Sequence, residues 1–360
     1  MTFVVYNGSY ISNQNTGLGV VSNEIYKCLD KDNYFFSRDK NSGNFFKLPS
    51  HLKRQLSLQF ELPKLLKKLK PEFFLSPIPE SPIFSKTRKV IFAHDLIPIR
   101  FPNLSTKFIF YSTYLPLILH NSELVLCNSK ATANELNSFF KIPSRKLETV
   151  PLGINHKEIY PINLERKNFF LVLGRHDRHK NLLRIIIAIS KIKNYDFKVI
   201  FAGPFKDHLT KKLLQAINDF GLSNKCEFKS WISNEEKLIL LNSCKALLIP
   251  SLWEGFGLPA IEAMACGTPV IASNRGALKE CLGDYGIYID PLNSDSIASA
   301  MEEVLLNMSL LKYSQNSGPI NAKLFNWQNT AFQIAVSYTH LRAHDTSIHR
   351  VCRLLLEKKN

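Results

Sequence analysis

The sequence predicts an α/β protein made of two units in tandem, each a parallel sheet covered by helices. Three observations carry that prediction. Apolar runs of strand length alternate with helical periodicity in the first half of the chain, and a second such series follows in the other half. A turn-rich, charged stretch from Val150 to Lys167 separates the two. A chain of 360 residues, 45% hydrophobic and 21% charged, suits two cores better than one.

Phe3-Val4-Val5-Tyr6 reads as a buried strand, Asn15-Thr16-Gly17-Leu18-Gly19 as a glycine loop, and Val20 to Leu29 as an apolar-periodic helix. Further strands are expected at Lys89 to Ala93 and Leu124 to Asn128, with a helix from Ala131 to Phe139. The second series has strands at Phe169 to Leu173, Lys198 to Ala202, Cys226 to Lys229, Ala246 to Ile249 and Thr268 to Ala272. Alternation of this kind argues parallel sheets. The expected domains are residues 1–160 and 161–335.

Residues 336–360 are set apart. The stretch Ser337-Tyr338-Thr339-His340-Leu341-Arg342-Ala343-His344 and the run from Val351 to Asn360 resemble translated sequencing-adapter read-through, so a non-native tail is expected. A genuine basic helix is the alternative.

No apolar stretch approaches the roughly 20 residues that cross a bilayer, and the first residues lack the pattern of a signal peptide, so a cytoplasmic protein is expected. Seven scattered cysteines show no metal-ligand spacing and read as reduced, mostly buried thiols. The formal charge of +16 implies an anionic partner without choosing among nucleic acid, a membrane face, a lipid phosphate or a diphosphate. Leu62, Leu65, Leu66 and Leu69 form one helical stripe beside Lys64, Lys67, Lys68 and Lys70. It reads as a helix packed on the sheet, or else as a peripheral contact with an anionic inner membrane face.

The strongest chemical signal runs from Pro250 to Ala272. Gly255, Phe256, Gly257 and Leu258 fall on a turn that leads from a strand into a helix, which is where open α/β sheets bind ligands. Glycines there let the backbone approach a ligand, and the helix start offers free N–H groups. Glu254 and Glu262 frame the turn, one on the loop and the other about two turns into the helix, and a carboxylate suits a polyhydroxylated ligand. A second cluster follows the strand at Leu171 to Leu173. Arg175 and Lys180 there suit a diphosphate, whose charge they would neutralise in place of a divalent metal. Arg178 and His179, between them, read as solvated. Ser22 stands where a dinucleotide fingerprint has its third glycine, which argues against a nicotinamide dehydrogenase. Asp30-Lys31-Asp32 matches a metal-binding D-x-D pattern but reads as a turn.

These motifs resemble those of the retaining GT-B glycosyltransferase family numbered four, the glycosyl transferases group 1, in a mannosyltransferase-like form. The carriers are T-G-L-G at Thr16 to Gly19, H-D-L-I-P at His94 to Pro98, V-P-L-G-I at Val150 to Ile154, G-R-x-x-x-x-K-N at Gly174 to Asn181, the long motif from Glu254 to Ser273, and F-N-W at Phe325 to Trp327. The resemblance implies two Rossmann-like parallel-sheet domains facing across a cleft. It implies transfer of a hexose from a nucleotide-diphosphate sugar to a glycan or lipid-linked acceptor, with retained configuration, no cofactor, no metal and no nucleic acid partner. By it, Arg175 and Lys180 hold the diphosphate, Glu262 the ribose, and Glu254 the hexose. Residues Gly255 to Leu258 would offer amides, His94 would reach the transferred sugar, and Gly17 and Gly19 would close over the phosphates. The H-D-L-I-P form leans toward a GDP-sugar over a UDP-sugar, while Ser230 replaces a glycine common beside the base. The alternatives are an epimerase or phosphorylase of the same fold, or a non-catalytic subunit that binds the sugar nucleotide.

Overall fold

The computed structural model describes residues 3–11, 16–29, 34–37, 54–103, 105–205, 207–337 and 339–341. The first series runs β1 (Val4–Asn7), α1 (Gly17–Cys28), β2 (Tyr34–Ser37), α2 (Leu62–Leu69), β3 (Phe73–Ser76), β4 (Arg88–Ala93), α3 (Leu115–His120), β5 (Leu124–Cys127), α4 (Lys130–Phe140) and β6 (Leu147–Thr149). The second runs β7 (Phe169–Leu173), α5 (Leu182–Lys191), β8 (Lys198–Ala202), α6 (Asp207–Asp219), β9 (Cys226–Lys229), α7 (Asn234–Ser243) and β10 (Ala246–Ile249). It continues through α8 (Leu258–Ala265), β11 (Val270–Ser273), α9 (Leu278–Leu282), β12 (Gly286–Ile289), α10 (Ser294–Leu306) and α11 (Met308–Ala322). A last helix spans 327–337.

Two six-stranded sheets result, in the orders β2-β1-β3-β4-β5-β6 and β12-β11-β10-β7-β8-β9. Every pairing of the second sheet is parallel. Two compact units emerge: Met1–Phe92, Ser122–Leu126 and Trp327–Asn360 form one, and Ala93–Asn121 with Cys127–Asn326 forms the other. The first sheet ends with β6 at Thr149 and the second begins with β7 at Phe169.

Strand residues buried on both faces explain the apolar runs. Phe170, Val199, Phe201 and Leu248 are buried beneath Ile185, Ile186 and Ile189 of α5 and Ile297 and Met301 of α10. Each such side chain contributes about 1.5–3 kcal/mol on burial. Polar caps then set where helices begin. The Ser129 hydroxyl accepts from Thr132 N at the start of α4, and Ser233 does the same for Glu236 N at α7.

The first helix differs from expectation. Thr16 caps it by accepting from Gly19 N at 3.2 Å, so α1 begins at Gly17, and both glycines of the expected loop lie in its first turn. In α2, Leu62 and Leu66 are buried, Leu65 and Leu69 half-buried, and the four lysines exposed, so the leucine stripe is taken up by the protein's own interior. Asp30-Lys31-Asp32 lies outside the described residues, as does most of the expected tail. Residues 336, 337 and 339–341 of that tail are helical.

In the second sheet β7 lies beside β10, with Phe170 opposite Ala246 and Leu171 opposite Leu247. From that pair the chain winds outward in both directions, β8 and β9 to one side, β11 and β12 to the other. This is the topological switch point, where two diverging loops leave a crevice beyond the strands' carboxyl ends.

Candidate functional site

Both loops of that crevice carry the motifs singled out in the sequence. After β7 the chain turns at Gly174 (φ +122), passes Arg175 and makes one tight turn over Arg178–Lys180. Gly203, at the end of β8, is needed beside it, since a Cβ there would stand 2.2 Å from the Gly174 carbonyl oxygen. Asn181, in the left-handed region (φ 60), ties the loop down. Its amide donates to the carbonyls of Pro250 at 2.9 Å and Pro291 at 2.6 Å. Leu252 N also donates to the His179 carbonyl at 2.7 Å, joining the two loops. Between them is a recess lined by Gly174, Arg175, Lys180, Ser251, Glu254 and Gly257.

Glu254 is buried in its wall. One carboxylate oxygen accepts from Lys180 Nζ at 2.7 Å and from Ser251 Oγ at 2.6 Å. Burial pushes this carboxyl upward, but the Lys180 and His179 charges and the two hydrogen bonds outweigh it and hold it below its ordinary range. Arg175 is different. Its side chain is 59% exposed, and its nearest acid, Asp177, is 3.9 Å away. A neutralised buried pair beside an exposed guanidinium suits an anionic, hydroxyl-bearing ligand.

Gly255 follows, and here His94 enters. A Cβ at Gly255 would lie 2.2 Å from the His94 carbonyl oxygen, so only glycine fits where these backbones meet. His94 is buried just after β4, its carbonyl accepting from Asn128 Nδ2 at 2.9 Å. The Gly255 carbonyl is held in turn by Ser129 Oγ at 2.7 Å and Thr132 Oγ1 at 3.3 Å. Phe256 is buried edge-on to Phe325, with ring centroids 6.0 Å apart. Gly257 (φ +102) caps α8, and Leu258 is that helix's first residue. No backbone carbonyl among the described residues accepts from the amides of Gly255, Phe256, Gly257 or Leu258. They are free donors on the loop that leads into α8, with Gly257 and Leu258 at the helix start itself.

Glu262 lies one turn into α8, not two, because the helix begins only at Leu258. It accepts from Lys237 Nζ of α7 at 2.7 Å and does not line the recess. His179, expected in solvent, is buried with its ring tilted against Phe101. Burial lowers its pKa, the Glu254 charge opposing the shift, while Arg178 is exposed as expected. Gly17 and Gly19 belong to the other compact unit.

Sequence reading missed Lys237, Ser129 and Thr132, whose partners here lie on other elements, so no local spacing could signal them. It also missed Ser251, whose partner Glu254 lies only three residues on, a spacing that could have been noticed. Of the cysteines, Cys127, Cys244, Cys266 and Cys281 are buried, and Cys28 and Cys226 half-buried. Among the described residues no cluster of three His, Cys, Asp or Glu could hold a metal ion, and no helix is long and apolar enough to cross a membrane.

Comparison with known proteins agrees with this geometry. A family model described as glycosyl transferases group 1 matches residues 156–319, and one described as glycosyltransferase family 4 matches residues 31–158. The chain is 30% identical over 221 residues to an MMP α-(1→4)-mannosyltransferase of Mycolicibacterium hassiacum, covering 59% of this chain and 53% of that protein. It is 28% identical over 216 residues to an O-antigen chain mannosyltransferase of Salmonella typhimurium, 60% of each being covered. The chain thus spans just over half the length of these relatives. Among solved structures, sucrose-phosphate synthase of Thermosynechococcus elongatus superposes with a TM-score of 0.77 at 18% identity, over 96% of this chain and 100% of that one. HepE of Anabaena, in complex with UDP-glucose, superposes with a TM-score of 0.75 at 16% identity, over 94% and 100%. The two-sheet α/β fold of the GT-B type, expected from the sequence, is the fold of this chain.

Proposed function

Because this chain belongs to the glycosyl transferases group 1 family, we propose that it moves a hexose from a nucleotide-diphosphate sugar to a glycan or lipid-linked acceptor of surface polysaccharide. The observation that carries the proposal is the recess at the β7/β10 switch point, where Arg175, Lys180, Glu254 and Gly257, at the start of α8, meet. The mannosyltransferase names of the two relatives and the H-D-L-I-P motif favour a GDP-mannose-like donor over a UDP-sugar.

Each group has a task in this reaction. Arg175 and Lys180 neutralise the diphosphate as it becomes the leaving group, which dispenses with a metal. The amides of residues 255–258 hold phosphate and sugar oxygens, Glu254 accepts from hexose hydroxyls, and Glu262 accepts from the ribose. His94 lies at the sugar end, and the first turn of α1, with Gly17 and Gly19, serves the phosphates. The bond from the anomeric carbon to the phosphate oxygen breaks as the acceptor oxygen bonds to that carbon on the same face. The acceptor proton passes to the leaving phosphate, and configuration is retained.

The test is thermal unfolding of the protein with UDP-, GDP- and ADP-sugars in the presence of a chelator. A ligand that binds only the native state at a hundred times its Kd adds about 2.7 kcal/mol. Stabilisation by one nucleotide class, lost in Arg175→Ala and Glu262→Ala, is the expected result. No response to any donor, or a response that appears only with a divalent metal, overturns the proposal.

A further inference from the structure

We infer, building on the transferase reading above, that Glu135 and Arg100 are positioning residues that set the catalytic loop through Trp253. Trp253 immediately precedes Glu254, and its indole N–H donates to Glu135 Oε2 at 2.9 Å. Arg100 Nε donates to the other oxygen, Oε1, at 2.7 Å. The Arg100 guanidinium also lies 3.7 Å above the centre of the indole ring. Three side chains from three separate elements thus close a triangle: the turn after β4, helix α4, and the loop after β10.

A carboxylate buried to 4% exposure is expensive unless both oxygens are paired, and here both are. Core packing does not require it. Leu136, the next residue of α4, is fully buried and fills the interior, while Glu135 turns its charge toward the loop. The indole is gripped at its N–H edge and on its face, so it can neither slide nor rotate without breaking a contact. Directly beyond Trp253 the backbone is held again. Glu254 O accepts from Ala277 N at 3.0 Å, and the Gly255 carbonyl takes the Ser129 hydroxyl of the same helix α4. At the front of that helix, Glu280 of α9 accepts from Lys130 N at 2.9 Å. Helix α4 is therefore the anvil against which the Trp253–Gly257 segment is fixed, and Glu135 is its charged contact point. The Glu254 carboxylate, aimed at hexose hydroxyls, inherits its position from this grip.

A positioning role separates from a structural one because the free nucleotide diphosphate is held mainly by Arg175 and Glu262, outside the gripped segment, whereas the hexose of the donor also engages Glu254. The experiment compares wild type, Glu135→Ala, Glu135→Gln and Trp253→Phe in the full chain. Affinity for GDP and UDP and the turnover of GDP-mannose and UDP-glucose are measured, together with tryptophan emission. In Glu135→Ala the nucleotide affinity should stay within about twofold while kcat for the accepted donor falls about 10- to 100-fold, since misplacement by about 1 Å costs up to 10²-fold. Glu135→Gln keeps an oxygen for the indole N–H and should recover part of that loss. Emission should change in Glu135→Ala but not when the same change is made in Trp253→Phe, which removes the reporter. Wild-type kcat in Glu135→Ala, an equal loss of nucleotide affinity, or unchanged emission overturns the inference. If wild type binds neither nucleotide, the transferase reading fails and catalytic positioning falls with it. The emission comparison then still shows whether Glu135 grips Trp253.

Discussion

Replacing Lys180 with methionine removes the cation bonded to Glu254 while keeping much of the side chain's volume. The two side chains are 19% and 10% exposed and 2.7 Å apart, so the change strands a carboxylate inside the protein. Losing one partner of a buried pair costs about 3–5 kcal/mol. The Ser251 hydroxyl at 2.6 Å remains and offsets about 1 kcal/mol, which leaves about 3 kcal/mol. For a unit of this size that lowers Tm by roughly 6–12 °C. Adding Glu254→Gln in the same chain neutralises the stranded group, and the double variant should regain most of the loss without regaining activity.

The pH dependence gives a second check with a definite sign. In the wild type Glu254 is held below its ordinary range, so its contribution is present above the unfolded value of about 4.3 and fades as pH falls through the lower folded value. Without Lys180, burial is left to push the carboxyl up, and the deficit is then largest near neutral pH and shrinks below about pH 5. Urea titrations of the three proteins at pH 7.5 and 4.5 measure both effects. A loss under about 1 kcal/mol, or one that grows toward acid pH, refutes the reasoning.

Gly255→Ala should cost about 1–3 kcal/mol in a urea titration, because its Cβ would meet the His94 carbonyl oxygen at 2.2 Å and backbone cannot give way cheaply; wild-type stability would mean the two segments are not that close. Lys237→Ala frees the Glu262 carboxylate, which is 18% exposed, and should weaken nucleotide binding by about 2- to 10-fold in titration calorimetry, with Lys237→Arg retaining more. Equal affinity in all three proteins would take Glu262 out of the nucleotide site. Thr16→Ala removes the cap of α1 and should destabilise that helix by about 1 kcal/mol, seen as faster amide exchange in its first turn.

Phe169–Leu173, Lys198–Ala202 and Ala246–Ile249 of the second sheet stand where the pattern put them, because each is mostly a run of buried apolar residues flanked by charge or turn formers. Cys226–Lys229 also stands where it was expected, although it is only half-buried and carries two charged residues. In the first sheet β3 was not legible. Phe73–Ser76 is four residues long and lies between Pro71 and Pro77, so the prolines read as loop and outweighed the strand. Strand β12 offers only Ile287-Tyr288-Ile289 between Gly286 and Asp290, an apolar run too short to stand out. At α1 the glycines drew the eye to a loop. The residue that decides the matter is Thr16, whose hydroxyl fixes the first turn.

At the site, what was legible was what lies consecutively in the chain, and what was not was the pairing of charges across it. Sequence reading treated Arg175 and Lys180 as equal partners for a diphosphate. Their surroundings make them unequal. Lys180 Nζ already bonds a buried carboxylate at 2.7 Å, so an incoming anion must share it, and any full transfer of that ammonium would leave Glu254 exposed to its own desolvation cost. Arg175 has only a distant acid and a largely exposed side chain, so it can turn to a phosphate at little electrostatic cost. In the proposed transferase the lysine would then act chiefly on the Glu254 carboxylate, and the arginine chiefly on the diphosphate. Two cations five apart in the sequence are thus electrostatically unequal, and the inequality is set by Glu254, which the spacing alone does not reveal.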